Sequence, residues 1–309
     1  MIPTEIFEKR ILISPLNWGM GHVARCIPII ELLKSQNNSI FLVGNLEQIT
    51  VFKDYFGESI NYHESPGYPF YFGGTGKFTK DLLIGLKKLS DHHYKELSET
   101  DKLVNEFKID LIISDHRYSF RSKNCMSIFL THQLHLPIPF YQKIFQILHK
   151  KQISKFDFQW IVDDEQKRLA GKLSNPKGFT NANFIGYLSR FSQRIQKKNS
   201  TISGLLIISG PDSYSNQLIE YFLDQIKTGE IECIVGNEHA RRRVENYGYG
   251  HIFKESKNWR QTDEIIYQSK KIFGYCGYST LMDLEYLNCD SELIPCKGQL
   301  EHLYLKKKS

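Results

Sequence analysis

The chain has 309 residues, 41% of them hydrophobic, 13% aromatic and 24% charged, and its 40 Lys and Arg against 34 Asp and Glu give a formal net charge of +6. With a mean hydropathy of -0.38, this composition excludes a disordered, collagen-like or coiled-coil chain and suits two domains of about 150 residues each. No run of about 18 uncharged apolar residues occurs, and the charged start MIPTEIFEKR lacks the apolar stretch of a signal peptide, so a cytoplasmic protein is expected.

Short β-branched runs alternate with helical patterns along the chain. Strands are predicted at 11–14 (ILIS), 39–43 (SIFLV), 111–114 (LIIS), 127–130 (SIFL), 205–209 (LLIIS), 231–235 (IECIV) and 271–274 (KIFG). Runs this apolar suit strands covered on both faces, and helices over 27–34, 100–107 and 217–227 suit crossovers between parallel neighbours. The fold class is therefore α/β with parallel sheets. The strand-then-helix pattern starts at residue 11 and again at 205, and the stretch before the second start, 192–203 (SQRIQKKNSTIS), is mostly polar. Two Rossmann-like domains facing a cleft follow, 1–187 and 188–309, with ligands expected outside the carboxyl ends of the strands.

Three turns after strands carry the residues suited to chemistry. The first strand runs into SPLNWGMGHVARC, where Gly19 and Gly21 let the backbone turn tightly and the amides of the next helix attract an anion, with His22 at the mouth. It is not the dinucleotide fingerprint, because His22 follows the GxG and Arg25 stands where a packing glycine is needed. The second domain opens on Ser209-Gly210-Pro211, whose amides and hydroxyl suit a phosphate. Near the end, Gly277-Tyr278-Ser279-Thr280 opens a helix whose amides and hydroxyls suit a diphosphate, and Asp283, about a turn further on, is placed for ribose hydroxyls. Gln299, Glu301 and His302 form a polar cluster after the next apolar stretch and suit the vicinal hydroxyls of a sugar. Structural readings stand beside these: N-capping for Ser279, Thr280 and Asp283, and a solvated loop for 297–302.

Taken together, Gly-x-Gly-His-x-x-Arg, Ser-Gly-Pro, Gly-Tyr-Ser-Thr-x-x-Asp-Leu and Gly-Gln-x-Glu-His resemble the family 28 glycosyltransferases of the GT-B fold. That family includes the transferase adding N-acetylglucosamine to the lipid-linked peptidoglycan precursor and the galactolipid synthases. The resemblance implies a metal-independent, inverting hexosyltransferase with no cofactor. It takes a nucleotide-diphosphate sugar, UDP-linked by analogy, and passes a hexose or N-acetylhexosamine to a sugar, lipid or polyol hydroxyl. It places Gly19, Gly21 and His22 in the acceptor-side glycine loop, Ser209 and Gly210 in the donor domain's opening loop, and 277–280 at the diphosphate. Asp283 falls where a family member has a ribose-binding glutamate, and Glu301 and His302 where it has two adjacent glutamines on the sugar. The chain ends soon after this motif, where the family's crossing C-terminal helix is expected to be shortened or missing. The loop followed by Cys26 is also similar to that of the nucleotide-sugar hydrolase of pseudaminic acid synthesis, which has the same fold and passes the sugar to water.

Asp115-His116 and His132 follow strands at the same end of the first domain, on the acceptor side with Arg25, and an Asp–His pair can hold an imidazole in one tautomer. His22 and Asp115 rank first as bases toward an acceptor hydroxyl. Asp163-Asp164 before EQKR reads as a helix start rather than a metal site, and no histidine set completes zinc ligation. The six cysteines lack a CxxC pair and read as reduced packing residues. The segments 68–80 and 134–151 mix aromatic and aliphatic residues with lysines, which suits peripheral contact with the inner face of a membrane or a core helix with a loop. A nucleic-acid partner is not expected, since the basic clusters come without an aromatic-basic RNA motif.

Overall fold

The computed structural model describes residues 1–69, 78–194, 200–210 and 214–308, leaving much of the 68–80 segment, part of the 192–203 segment and Pro211 outside the described residues. Two compact units divide the chain, with Ser189 closing the main run of the first and Arg190 opening that of the second.

The first unit begins with β1 (Arg10–Pro15), α1 (Met20–Ser35), β2 (Ser39–Gly44), α2 (Leu46–Phe56), β3 (Asn61–Glu64), α3 (Phe78–Phe107) and β4 (Leu111–Asp115). It continues with β5 (Met126–Thr131), α4 (Lys143–Ile153), β6 (Phe158–Ile161) and β7 (Ala182–Phe184). All seven strands are parallel, in the order β3-β2-β1-β4-β5-β6-β7. The central strands are apolar on both faces because both are covered: Leu12 and Ile112 pack with Leu103 and Val104 of α3, while Ile27 and Ile30 of α1 are also fully buried. The chain leaves β1 first toward β2 and later returns to its other side at β4. That reversal opens a crevice at the carboxyl ends of β1 and β4, which finish level, Pro15 opposite Asp115.

The second unit holds β8 (Ile202–Ile207), α5 (Ser215–Tyr221), α6 (Leu223–Lys227), β9 (Cys233–Val235), α7 (Glu238–Asn246), α8 (Trp259–Tyr267), β10 (Ser269–Tyr275), α9 (Tyr278–Leu287), β11 (Asp290–Ile294) and α10 (Leu300–Lys308). Its four strands are again parallel, ordered β11-β10-β8-β9. Alternation sends Leu206 and Phe273 into one core and Leu205 and Ile272 into the other. Here the reversal lies between β8 and β10, so the turns after those strands, at Ser209-Gly210 and at Gly277, flank the crevice.

Several sequence expectations need correction. The helix expected over 217–227 is broken at Phe222, whose φ of -97° and ψ of 16° separate α5 from α6. The alternative reading of 297–302 as a solvated loop holds only up to Leu300, where α10 begins. Asp163-Asp164 starts no helix. Asp163 is fully buried and gathers a loop around itself, accepting from the amides of Asp164 (3.0 Å) and Ala170 (3.1 Å) and from Ser174 Oγ (2.7 Å). Asp164 instead pairs with Arg168 and accepts from the Tyr187 hydroxyl. Replacing a buried carboxylate of this kind strands its donors, so Asp163→Ala is expected to cost about 3 kcal/mol in urea unfolding, with the slope unchanged.

Candidate active site

At the crevice of the first unit, the turn after β1 passes through Gly19, whose φ of 157° suits a residue without a Cβ, directly into α1. No side chain caps α1, whereas α2, α7 and α8 carry Asn caps at Asn45, Asn237 and Asn258. Asn17 braces the turn: its Oδ1 accepts from the Tyr68 amide at 2.8 Å, and Trp18 meets the Tyr68 ring edge-on.

His22 lies in the first turn of α1 with its side chain 19% exposed, and Arg25, three residues on, lies beneath it. Arg25 is 2% exposed and Asp115 not at all. Arg25 grips Asp115 with two arms, Nε to Oδ2 at 2.9 Å and Nη2 to Oδ1, and reaches His132 Nδ1 with Nη1 at 3.0 Å. His22 Nδ1 stands 3.0 Å from Asp115 Oδ2 and 2.6 Å from Arg25 Nη2. Burial pushes the Asp115 carboxyl up, but Arg25 and His22 together outweigh it, and the group titrates below the ordinary carboxylate range. Burial, joined by Arg25, lowers His22 against the opposing pull of Asp115. The Cys26 thiol, 3.8 Å from Asp115, is pushed well up by burial and by that carboxylate, which favours the protonated thiol.

The His22 contacts set its chemistry. A carboxylate only accepts and a guanidinium only donates, so Nδ1 can serve one of them at a time. With its proton on Nδ1, toward Asp115, the ring presents a free lone pair at Nε2 and is a base; with Nδ1 accepting from Arg25, it presents an N–H.

In the first unit, geometry revises four of the roles expected from sequence. Asp115 is fully buried, with no access to an incoming hydroxyl, and meets His22 instead. Arg25 and His132, expected on the acceptor side, are buried and bonded to each other beneath His22. The neighbour in sequence, His116, does not pair with Asp115: its φ of 59° turns it aside, and its Nε2 meets Thr131 Oγ1 at 2.6 Å. Burial, then Arg25 and His22, hold His116 well below the usual imidazole range.

In the second unit, Ser209 and Gly210 are exposed at the end of β8, with Gly210 at φ +90°. Gly277 is the N-cap of α9 and brings no capping side chain, and Ser279 and Thr280 are partly exposed in the first turn. His302 comes to this turn from α10: a Cβ on Gly277 would lie 3.7 Å from its Nε2. The Cys296 amide donates to His302 Nδ1 (3.2 Å), so the neutral ring carries its proton on Nε2, beside Gly277. Burial lowers His302 despite Glu301, which favours that neutral form. A helix start and an imidazole N–H thus converge at one point, an arrangement that suits phosphate oxygens. Gln299 and Glu301 flank it at the start of α10, both partly exposed.

Asp283 is not open to a ribose as expected, since it is nearly buried and pairs with Arg190 Nη1 at 3.2 Å. The same guanidinium bonds Asp263 (Nε–Oδ1 2.5 Å) and lies over the Trp259 ring at 5.5 Å. Neither Arg190 nor Trp259 stands out in the sequence, where neither lies in the turn that follows a predicted strand.

No protein-family model matches the chain, and no curated protein matches it by sequence. Solved structures do match in fold. The glycotransferase of kitacinnamycin superposes with a TM-score of 0.64 at 10% identity, covering 98% of this chain and 85% of its own. Spinosyn rhamnosyltransferase SpnG gives 0.62 at 10% identity over 96% and 83%. The LpCGTa structure in complex with UDP gives 0.60 at 13% identity over 98% and 83%. The fold is GT-B, the two-unit α/β architecture of these glycosyltransferases.

Removing the Asp115 charge leaves Arg25 buried without its anion. Asp115→Asn is expected to lower stability by about 3–5 kcal/mol in denaturant titration.

Proposed function

We propose that the chain is a glycosyltransferase that uses a nucleotide-diphosphate sugar. The observation that carries this reading is the His22–Asp115 contact at the point where the first sheet reverses: a partly exposed imidazole oriented by a buried carboxylate, with glycines bounding the approach. His22 takes the proton of an acceptor hydroxyl at Nε2 while Asp115 steadies the imidazolium that forms. The oxygen attacks the anomeric carbon, the bond from that carbon to the diphosphate breaks, and the nucleoside diphosphate leaves. Amides at the start of α9, with Ser279, Thr280 and His302 Nε2–H, receive the negative charge as it develops. One displacement inverts the anomeric configuration. This account calls for no metal and no cofactor.

The donor is a pyrimidine nucleoside diphosphate sugar, UDP by preference, of a hexose or N-acetylhexosamine. Support comes from the match to the LpCGTa complex with UDP and to a SpnG structure complexed with thymidine diphosphate, at a TM-score of 0.60 in each case. The narrower kinship to family 28 rests on the motifs around His22, Gly277 and His302.

UDP at about one hundred times its Kd is expected to stabilise the protein by about 2.7 kcal/mol in thermal shift, more than ADP or GDP. With a panel of UDP-sugars, UDP release should require an acceptor; release in water alone would mark a hydrolase instead. His22→Ala should cut turnover by about 10²- to 10⁴-fold and leave the UDP shift intact. Because the folded protein lowers His22 from 6.5, the base stays unprotonated in mild acid, and the acidic limb of kcat/KM should fall below pH 6.5.

A further inference from the structure

A second buried ion pair lies near the carboxyl ends of β1 and β4, and the transfer steps above make no use of it. Glu96 of α3 is 3% exposed and Arg117, two residues past β4, is 1% exposed. Arg117 donates to Glu96 Oε1 from Nε at 2.9 Å and again from Nη2, and its Nη1 reaches Ser14 Oγ of β1 at 2.5 Å. Burial raises the Glu96 carboxyl, but Arg117, with His92 and Ser119, outweighs it, so the group is an anion and only accepts. Ser14 and Ser114, partners in register, both bond Arg117, which puts this pair on the sheet face opposite Asp115.

Hydrogen bonds carry that fixed charge to the turn before α1. Ser119 gives its only hydroxyl proton to Glu96 Oε2, so its oxygen accepts from the Tyr68 hydroxyl at 2.9 Å. Burial, and then Glu96, push the Tyr68 phenol up to about 12, which keeps the donated proton in place. The Tyr68 backbone in turn holds Asn17 twice: its amide donates to Asn17 Oδ1 at 2.8 Å and its carbonyl accepts from Nδ2 at 3.4 Å. The two segments approach so closely that a Cβ on Gly67 would lie 2.2 Å from Asn17 Cγ. Asn17 stands two residues before Gly19, and the His22 amide bonds the Gly19 carbonyl at 3.3 Å.

We propose that Tyr68 and Asn17 are positioning residues for His22, holding the glycine turn from the side opposite the Arg25–Asp115 pair. No side chain caps α1, so the direction of its first turn is set by the chain that enters it. His22 Nδ1 lies within reach of both Asp115 Oδ2 and Arg25 Nη2, and a tilt of that turn alters both contacts. The consequence for turnover rests on the reading of His22 as the base; the positioning of the ring does not.

The test is ring-nitrogen NMR of the full chain carrying isotope-labelled histidine, the His22 signals being those lost in His22→Ala. Tyr68→Phe, which removes only the hydroxyl, and Gly67→Ala, which displaces Asn17, should each move the His22 signals and leave those of His251, in the second unit, in place. Gly67→Ala should add little to Asn17→Ala, because the new Cβ acts through that side chain. In UDP release from UDP-glucose or UDP-N-acetylglucosamine, Tyr68→Phe should lower kcat by about 10- to 100-fold with the donor KM unchanged. In the His22→Ala background the same change should cost less than about twofold. Each variant is measured well below its own thermal midpoint, so that unfolding does not enter. His22 signals that keep their wild-type positions in either variant overturn the inference, as does a Tyr68→Phe loss of kcat that persists in full without His22. Signals that move in a protein whose wild type releases no UDP uphold the positioning and overturn only the transfer reading.

Discussion

A carboxylate with no exposure to water must be neutralised where it stands, and in the first unit that requirement is met by Arg25 on Asp115. The pair joins α1 to the end of β4 across the reversal of the sheet. His22, one helical turn before Arg25, is thereby fixed against both partners, and His132 is drawn in beneath. The ionised acid favours an imidazolium at His22 while the guanidinium disfavours it, and burial adds to the second effect. The net effect lowers His22, and the two tautomers of the neutral ring have different partners, Asp115 for the one protonated at Nδ1 and Arg25 for the other.

Helix starts in the two units are of two kinds. Where a helix needs only to start, as in α2, α7 and α8, an Asn side chain occupies the first amides. In α1 and α9 glycine stands at the cap and brings no side chain, while α5, after β8, has Tyr214 there without a capping bond. In the second unit His302 arrives from a separate helix with its proton directed at that turn, which ties the segment after β11 to the one after β10.

The sheet class and most central strands were legible because burial on both faces leaves continuous apolar runs, as in β1, β2, β4 and β5. The strands β3, β6 and β7 were not. Asn61–Glu64 and Ala182–Phe184 lie at sheet edges with half-covered residues, and β6 contains Gln159, which is buried only because it bonds the carbonyls of Ile153 and Phe156. Glycines marked both turns, and His22 was legible from its place beside them. Its partner was not, since local sequence couples Asp115 to His116 and only the pairing of β1 with β4 brings it to His22. Asp163 misled for a related reason: acids before a polar run look like a helix start, and the amides that it gathers lie up to seven residues away.

The level alignment of β1 and β4 has a final implication. Side chains alternate across a strand, so Ser114 and Asp115 point to opposite faces; Ser114 Oγ bonds the Arg117 carbonyl, on the side where Arg117 meets Glu96. Sliding β4 by a single residue against β1 would preserve an apolar ladder yet send the carboxylate to the Arg117 side and a hydroxyl to the imidazole. Strand registration in this protein therefore brings a carboxylate rather than a hydroxyl to the imidazole of His22.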